Sequence, residues 1–175
     1  MERKPLTHPR RKKYSFLSVI LLAAVMLGMS CHKSKNADPC EGVLSEGTPL
    51  MAGLIFIDKQ TNELLLLSRN IDPATITITP VQSDIPAEKG AIVNQVGSPV
   101  HGALLFHVND TKKGTFSYKI TIPGVGSTML SYTNQELKQD NPCHPYYIAT
   151  VDTKIEDHPY TVTFSNAKLV FKITI

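Results

Sequence analysis

Tryptophan is absent from this chain, cysteine occurs only three times, and aromatic residues make up just 7% of its 175 positions. Any core must therefore be filled mainly by aliphatic side chains, helped by a few Phe and Tyr. Helical periodicity is also missing. After residue 40 no stretch repeats apolar residues at i, i+3, i+4 and i+7, which excludes a helical bundle and a βαβ array. A nucleophile elbow of the form Gly-x-Ser-x-Gly is lacking. The nearest thing to a phosphate loop, Gly124, Val125, Gly126 and Ser127, follows Pro123 with no Lys and no helix to complete an anion site, so it reads as a turn. Internal repeats and low-complexity segments are not found.

A basic face is missing as well, although the formal charge is +3. Six of the 18 basic residues (Arg3, Lys4, Arg10, Arg11, Lys12 and Lys13) crowd the N-terminus. From His32 onward, 12 Lys and Arg stand against 14 Asp and Glu, a net −2. The only basic pair left is Lys112 and Lys113, so a nucleic-acid partner, which needs clustered cations against phosphates, is not expected.

What is present begins with a leader. A basic region through Lys13 precedes an apolar stretch at 16–27, followed by Gly28, Met29, Ser30 and Cys31. The apolar run is shorter than the roughly 20 residues of a comfortable membrane span, and with its flanks it reads as a signal peptide over 1–30. The junction resembles a lipoprotein processing box, which runs aliphatic, small, small, cysteine. Here the aliphatic Leu27 stands one position early and Met29 takes a small residue's place. The resemblance implies cleavage before Cys31 and its lipidation, and hence a membrane partner through the lipid. Ordinary cleavage after Ser30, or an uncleaved anchor, would use the same residues.

With Cys31 acylated, Cys40 and Cys143 remain. An even number in an oxidising compartment suggests a disulfide. Joined, they would close a loop of about 100 residues, stabilising by up to roughly 4.7 kcal/mol in the chain-entropy model. Residues 31–39 are the lipidated cysteine and a polar tether, whose eight residues after Cys31 reach at most about 28 Å. Residues 40–175 form one domain of ordinary size.

Within that domain, apolar residues alternate with polar ones. Phe116, Tyr118, Ile120 and Ile122 share one face of a strand over 115–122, leaving Thr115, Ser117, Lys119 and Thr121 on the other. Ile76 and Ile78, then Tyr160, Val162 and Phe164, and finally Leu169, Phe171, Ile173 and Ile175 repeat the pattern. The short interval 165–167 predicts a hairpin between the last two strands. Residues 51–57 and 63–67 are continuously apolar, separated by turn chemistry at 58–62, and read as strands buried on both faces or lying under a loop. The turn spacing predicts eight or nine strands in an all-β, single β-sandwich. The longer irregular stretches 82–96 and 133–145 are where functional loops are expected.

In layout the chain resembles a loose group of single-domain lipoproteins of the Bacteroidota. The resemblance rests on the relaxed box, Asp38 to Cys40, the turn at 58–62 leading into Glu63 and three leucines, the later Cys143 and the terminal hairpin. It implies an immunoglobulin-like or transthyretin-like sandwich and carries over no catalytic residue.

Candidate chemistry is sparse. His101 and His107 would face the same way on one straight strand and, with His144 beside Cys143, form a weak alternative for a metal site. Because Leu104, Phe106 and Val108 make the better core face, no metal or other cofactor is expected. Asp58, Asn62 and Glu63 offer oxygen ligands for calcium, but without the glycine and ligand density of an EF-hand they read as a turn. Scattered carboxylates such as Asp110, Asp152, Glu156 and Asp157 could meet across loops as an acid–base pair, but acids on a β surface are normally solvated, so an enzyme is not expected and a hydrolase ranks third. Tyr132, Tyr146 and Tyr147 are the candidate ligand-binding residues, because exposed tyrosines stack on sugar rings or anchor interfaces. Tyr146 and Tyr147, being adjacent on a strand, point to opposite faces. The expected role is a non-enzymatic binding module for a glycan or other cell-envelope ligand, periplasmic or surface-exposed. The alternative is an assembly subunit that binds another envelope protein through an edge strand or a face.

Overall fold

In the computed structural model, which describes residues 40–42, 48–82 and 84–175, period-two alternation becomes β-strand wherever it occurs. The leader, Cys31 and the tether lie outside the described residues. The chain divides into two units after Gly42. Of the first, the described residues 40–42 form a turn in which Gly42 takes φ +81°. The second unit is a β-sandwich of two packed sheets, as the alternation predicts.

Nine strands are found among the described residues: β1 (Met51–Ile57), β2 (Thr77–Pro80), β3 (Ala91–Ile92), β4 (Ala103–His107), β5 (Gly114–Ile122), β6 (Gly126–Lys138), β7 (Tyr146–Ile155), β8 (Tyr160–Ser165) and β9 (Lys168–Thr174). One sheet has five strands in the order β3-β4-β1-β9-β8, and the other has four in the order β2-β5-β6-β7. Pairing is antiparallel except between β1 and β9, which run parallel with Leu54 beside Phe171.

The core lies between the sheets. From β5 it takes Phe116, Tyr118, Ile120 and Ile122, all buried. On the opposite face of that strand, hydroxyls pair across to β6: Thr115 with Thr133 at 3.2 Å, Ser117 with Ser131 at 2.9 Å, and Thr121 with Ser127 at 3.0 Å. A wet face built from threonine and serine keeps the sheet paired without burying charge. The five-stranded sheet contributes Ala52, Leu54, Phe56, Leu104, Phe106, Phe171 and Ile173.

β1 is apolar on both faces because it has two cores to serve. Ile55 turns away from the main core into a small cluster with Ala103 and Val170, covered by Leu64, Val100 and Leu105. Leu64 bridges to Ile57. The following residues then form a one-turn helix, α1 (Leu65–Ser68), rather than the expected strand. Leu65 and Leu66 are both buried; a helical turn lets neighbouring leucines pack where a strand would turn one of them out.

Two further expectations change. The stretch 133–145 is not irregular throughout, because β6 runs on to Lys138 and pairs with β7, leaving a loop only from 139 to 145. The stretch 82–96 contains the two-residue β3 and an isolated bridge from Ile78 to Glu88. At the C-terminus the predicted hairpin forms. Asn166 and Ala167 both take positive φ, +49° and +56°, between the paired Ser165 and Lys168. This is the two-residue turn whose twist matches a hairpin.

Candidate functional site

A cleft of about 1160 Å³ opens where β7 and β8, the edge strands on one side of the sandwich, part from each other. Its origin lies in the strand pattern. In the pairing of β8 with β9, Val162 stands beside Phe171 and Phe164 beside Leu169, so both share the core face of their sheet. Yet Val162 is 41% exposed and Phe164 67% exposed. The four-stranded sheet ends at β7, so among the described residues no strand covers that part of the facing layer. Tyr160, at the other end of β8, does reach across: its ring packs on Phe171 with centroids 5.8 Å apart, and its hydroxyl donates to the Thr153 carbonyl at 3.4 Å.

Tyr146 and Tyr147 stand at the start of β7, 56% and 46% exposed, and both line the cleft with Phe164. Register puts them on opposite faces, as expected from their adjacency. Tyr147 pairs with Leu137 and Tyr146 with Lys138. Thr150, four pairs on from Tyr146, donates its hydroxyl to the buried Asn134 Oδ1 at 2.7 Å, so Tyr146, Ile148 and Thr150 face inward.

The polar wall is held by a network centred on the loop between β4 and β5. Asn134 Nδ2 donates to the carbonyls of Asn109 at 2.7 Å and Lys112 at 3.0 Å. The Tyr132 hydroxyl donates to the same Asn109 carbonyl at 2.9 Å, and the Asn109 N–H donates to the Tyr118 hydroxyl at 3.2 Å. With the loop gripped in this way, Asp110 Oδ2 accepts the Leu50 N–H at 2.7 Å and is fixed on the cleft wall beside Thr111. Gln139 and His144 complete it, Gln139 Nε2 donating to the His144 carbonyl at 2.6 Å, while His144 Nε2 is buried with no hydrogen-bond partner among the described residues.

Tyr132 therefore leaves the list of ligand-binding residues. It is 1% exposed, its ring stacks 5.6 Å from Phe116 and 6.3 Å from Tyr118, and burial raises its phenol pKa well above the ordinary tyrosine value. It serves the site only by holding Asn109. The reason is parity: Tyr132 falls on the face of β6 opposite Phe116, which is the core face.

The histidine alternative is also corrected. His101 lies in a turn rather than on a strand with His107, because Gly102 breaks the chain direction at φ +78° before β4 begins. His107 is exposed at the end of β4, paired with Met51. Among the described residues no group of three His, Cys, Asp or Glu side chains is placed to hold a metal. Asp58 is used within its own turn, where Oδ1 accepts the N–H groups of Gln60 at 2.8 Å and Thr61 at 2.9 Å, which hold its carboxyl pKa below the usual value. Cys40 and Cys143 are both disulfide-bonded.

Phe164, Asp110 and Gln139 line the cleft but were not singled out by sequence reasoning as ligand-binding candidates. Phe164 carried the signal of a core residue, and only the strand count of the facing sheet exposes it. Among the described residues no helix is long and apolar enough to cross a membrane. The chain matches no protein-family model, no curated protein and no solved structure, so the reading of the cleft rests on its geometry.

Proposed function

We propose that this chain is a lipid-anchored cell-envelope protein whose sandwich binds a glycan, without catalysis, in the cleft between β7 and β8. The observation that carries the reading is the exposure of two inward-facing aromatic rings, Tyr146 and Phe164, in a cleft whose other wall is polar, with the neighbouring Tyr147 at its margin on the outer face of β7. A sugar ring has an apolar face that stacks on an aromatic plane and hydroxyls that seek carboxylate and amide partners. Asp110, Gln139 and Thr111 supply those partners. The leader supports an envelope location, periplasmic or surface-exposed, with Cys31 as the lipidated residue.

Thermal unfolding of the full chain against a panel of envelope glycans tests this. A ligand that binds the native state at 100 times its Kd stabilises by about 2.7 kcal/mol, which moves the melting point by a few degrees. Tyr146→Ala and Phe164→Ala should abolish that shift and leave the unliganded melting point nearly unchanged. A panel without a shift, or a shift that survives Tyr146→Ala, removes the cleft from the binding reading. For the anchor, Cys31→Ala should release the protein from the membrane fraction, and its retention there would assign anchoring to the apolar leader.

A further inference from the structure

Of the four edge strands among the described residues, three are guarded against pairing with another chain. β3 is only two residues long, and β2 is four residues long and ends at Pro80. β7 breaks its register against β6 where Asp152 takes φ +51°, and it carries Lys154. Short length, proline, bulges and charges are the usual means by which proteins keep a sheet edge from extending. β8, reading Tyr160, Thr161, Val162, Thr163, Phe164 and Ser165, has none of them within the strand, and Pro159 just before it faces β9 rather than the free edge. The nearest charges, Lys168 and Lys172, lie one strand back on β9.

The geometry points to β8 as the interface with a second copy of this chain, two β8 strands pairing antiparallel about a twofold axis through Val162. Hydrogen-bond phase sets the register. In a two-residue hairpin the flanking pair, here Ser165 and Lys168, is bonded to each other, and bonding then alternates along the ladder. Thr174 N–H donating to the Pro159 carbonyl at 3.0 Å is in the same phase. The odd-numbered residues of β8 are therefore spent on β9, and the N–H and C=O groups of Tyr160, Val162 and Phe164 point away from it.

A single register uses all three on both copies: Val162 opposite the partner's Val162, with Tyr160 opposite the partner's Phe164 and the reverse. The same register puts Thr161 opposite the partner's Thr163 on the outer face, where hydroxyls pair as they already do between β5 and β6. No charge faces a charge, and the exposed Phe164 ring gains an aromatic neighbour. Among the described residues β8 is the outermost strand of its sheet on this side. The result joins two five-stranded sheets into one of ten and sets two clefts side by side. The inference does not depend on what the cleft binds.

Cysteine crosslinking in the full chain reads the register directly. Across the axis, Val162→Cys brings two Cα atoms to about 5.5 Å, the spacing of a hydrogen-bonded antiparallel pair and within disulfide reach. Thr163→Cys leaves its own copies roughly 8 Å apart, out of reach. Mild oxidation should give a reducible dimer of the Val162→Cys chain well above the wild-type background, and little of the Thr163→Cys chain. Val162→Lys places two ammonium groups at the axis and should reduce the wild-type mass in sedimentation to that of one chain, with an unchanged circular dichroism spectrum and a melting point that no longer rises with protein concentration. A wild-type chain that sediments as a monomer at about 100 µM, crosslinking that is equal at the two positions, or a dimer that Val162→Lys leaves intact overturns the proposal. Crosslinking of Val162→Cys to a different protein but not to itself does the same, and hands the edge to a heterologous strand.

Discussion

The two sides of the sandwich are built from the same alternating pattern and end differently. Around β4, β5 and β6, Phe106, Phe116, Tyr118 and Tyr132 bury their rings against one another, Phe106 edge-on to Tyr118 at 5.8 Å, and both tyrosine hydroxyls find Asn109. Around β7 and β8, Tyr146, Val162 and Phe164 also point toward the space between the sheets, yet no strand of the described residues covers them. An aromatic on a core face is therefore structural on one side and available on the other, and what separates the cases is one strand missing from the facing sheet.

Substitutions at matching positions should separate the two sides, and the largest effect belongs to the closed one. Tyr132→Ala removes a fully packed ring and a hydroxyl donor and should cost about 3–5 kcal/mol in urea unfolding. Tyr132→Phe, which keeps the ring, should lose roughly 1 kcal/mol. If Tyr132→Ala proved nearly neutral, the closed side would not be the stabilising half.

Next in size is Asn134→Ala. It strips Thr150, Asn109 and Lys112 of a shared buried partner, and should destabilise by about 1–3 kcal/mol while loosening the loop that fixes Asp110. Hydrogen exchange at the Leu50 amide, which is bonded to Asp110, should quicken in that variant. An unchanged exchange rate would separate the network from the cleft wall.

Ala167→Gly works in the opposite direction. Ala167 sits at φ +56° in the β8–β9 turn, a conformation that costs an L-residue roughly 1 kcal/mol relative to glycine. The variant should gain up to about that much, visible as a raised melting point, and a loss would show that the methyl group packs usefully. Phe164→Ala, on the open side, should change stability by less than about 0.5 kcal/mol, as exposed positions do.

The smallest effect is acid-dependent. Glu156 accepts the Ser131 hydroxyl at 2.7 Å and pairs with Lys154, which together hold its pKa below the ordinary 4.5. A depressed folded-state pKa stabilises above the unfolded value, and that contribution is lost as pH falls below about 4.5 toward the folded value. Glu156→Gln should flatten the acid limb of the stability profile slightly. The wild-type and variant curves should run parallel above pH 6.

Much of this fold is legible in the residues. The strand over 115–122, the terminal hairpin and the sandwich class follow from alternation and turn chemistry, because a half-buried strand imposes a period of two on its own sequence. α1 is not legible, since Leu64 to Leu67 read equally as a buried strand, and only the small second core over β1 decides for a helical turn. Nor is the extension of β6 to Lys138: Asn134 looks like a loop residue until Thr150 and the Asn109 carbonyl are in place to satisfy it. The cleft was half legible. Tyr146 and Tyr147 could be named because they are adjacent aromatics beside a loop, whereas Tyr132 and Phe164 exchange roles once the sheets are stacked.

By itself, then, the amino-acid sequence determined which side chains share a face, where most of the turns fall, and that the domain is all β. Those are local properties, set by backbone geometry and side-chain polarity within a few residues. Tertiary structure alone decided which core-type faces are covered. Coverage depends on how many strands each sheet recruits and on where the facing layer stops, and no residue of β8 carries that information.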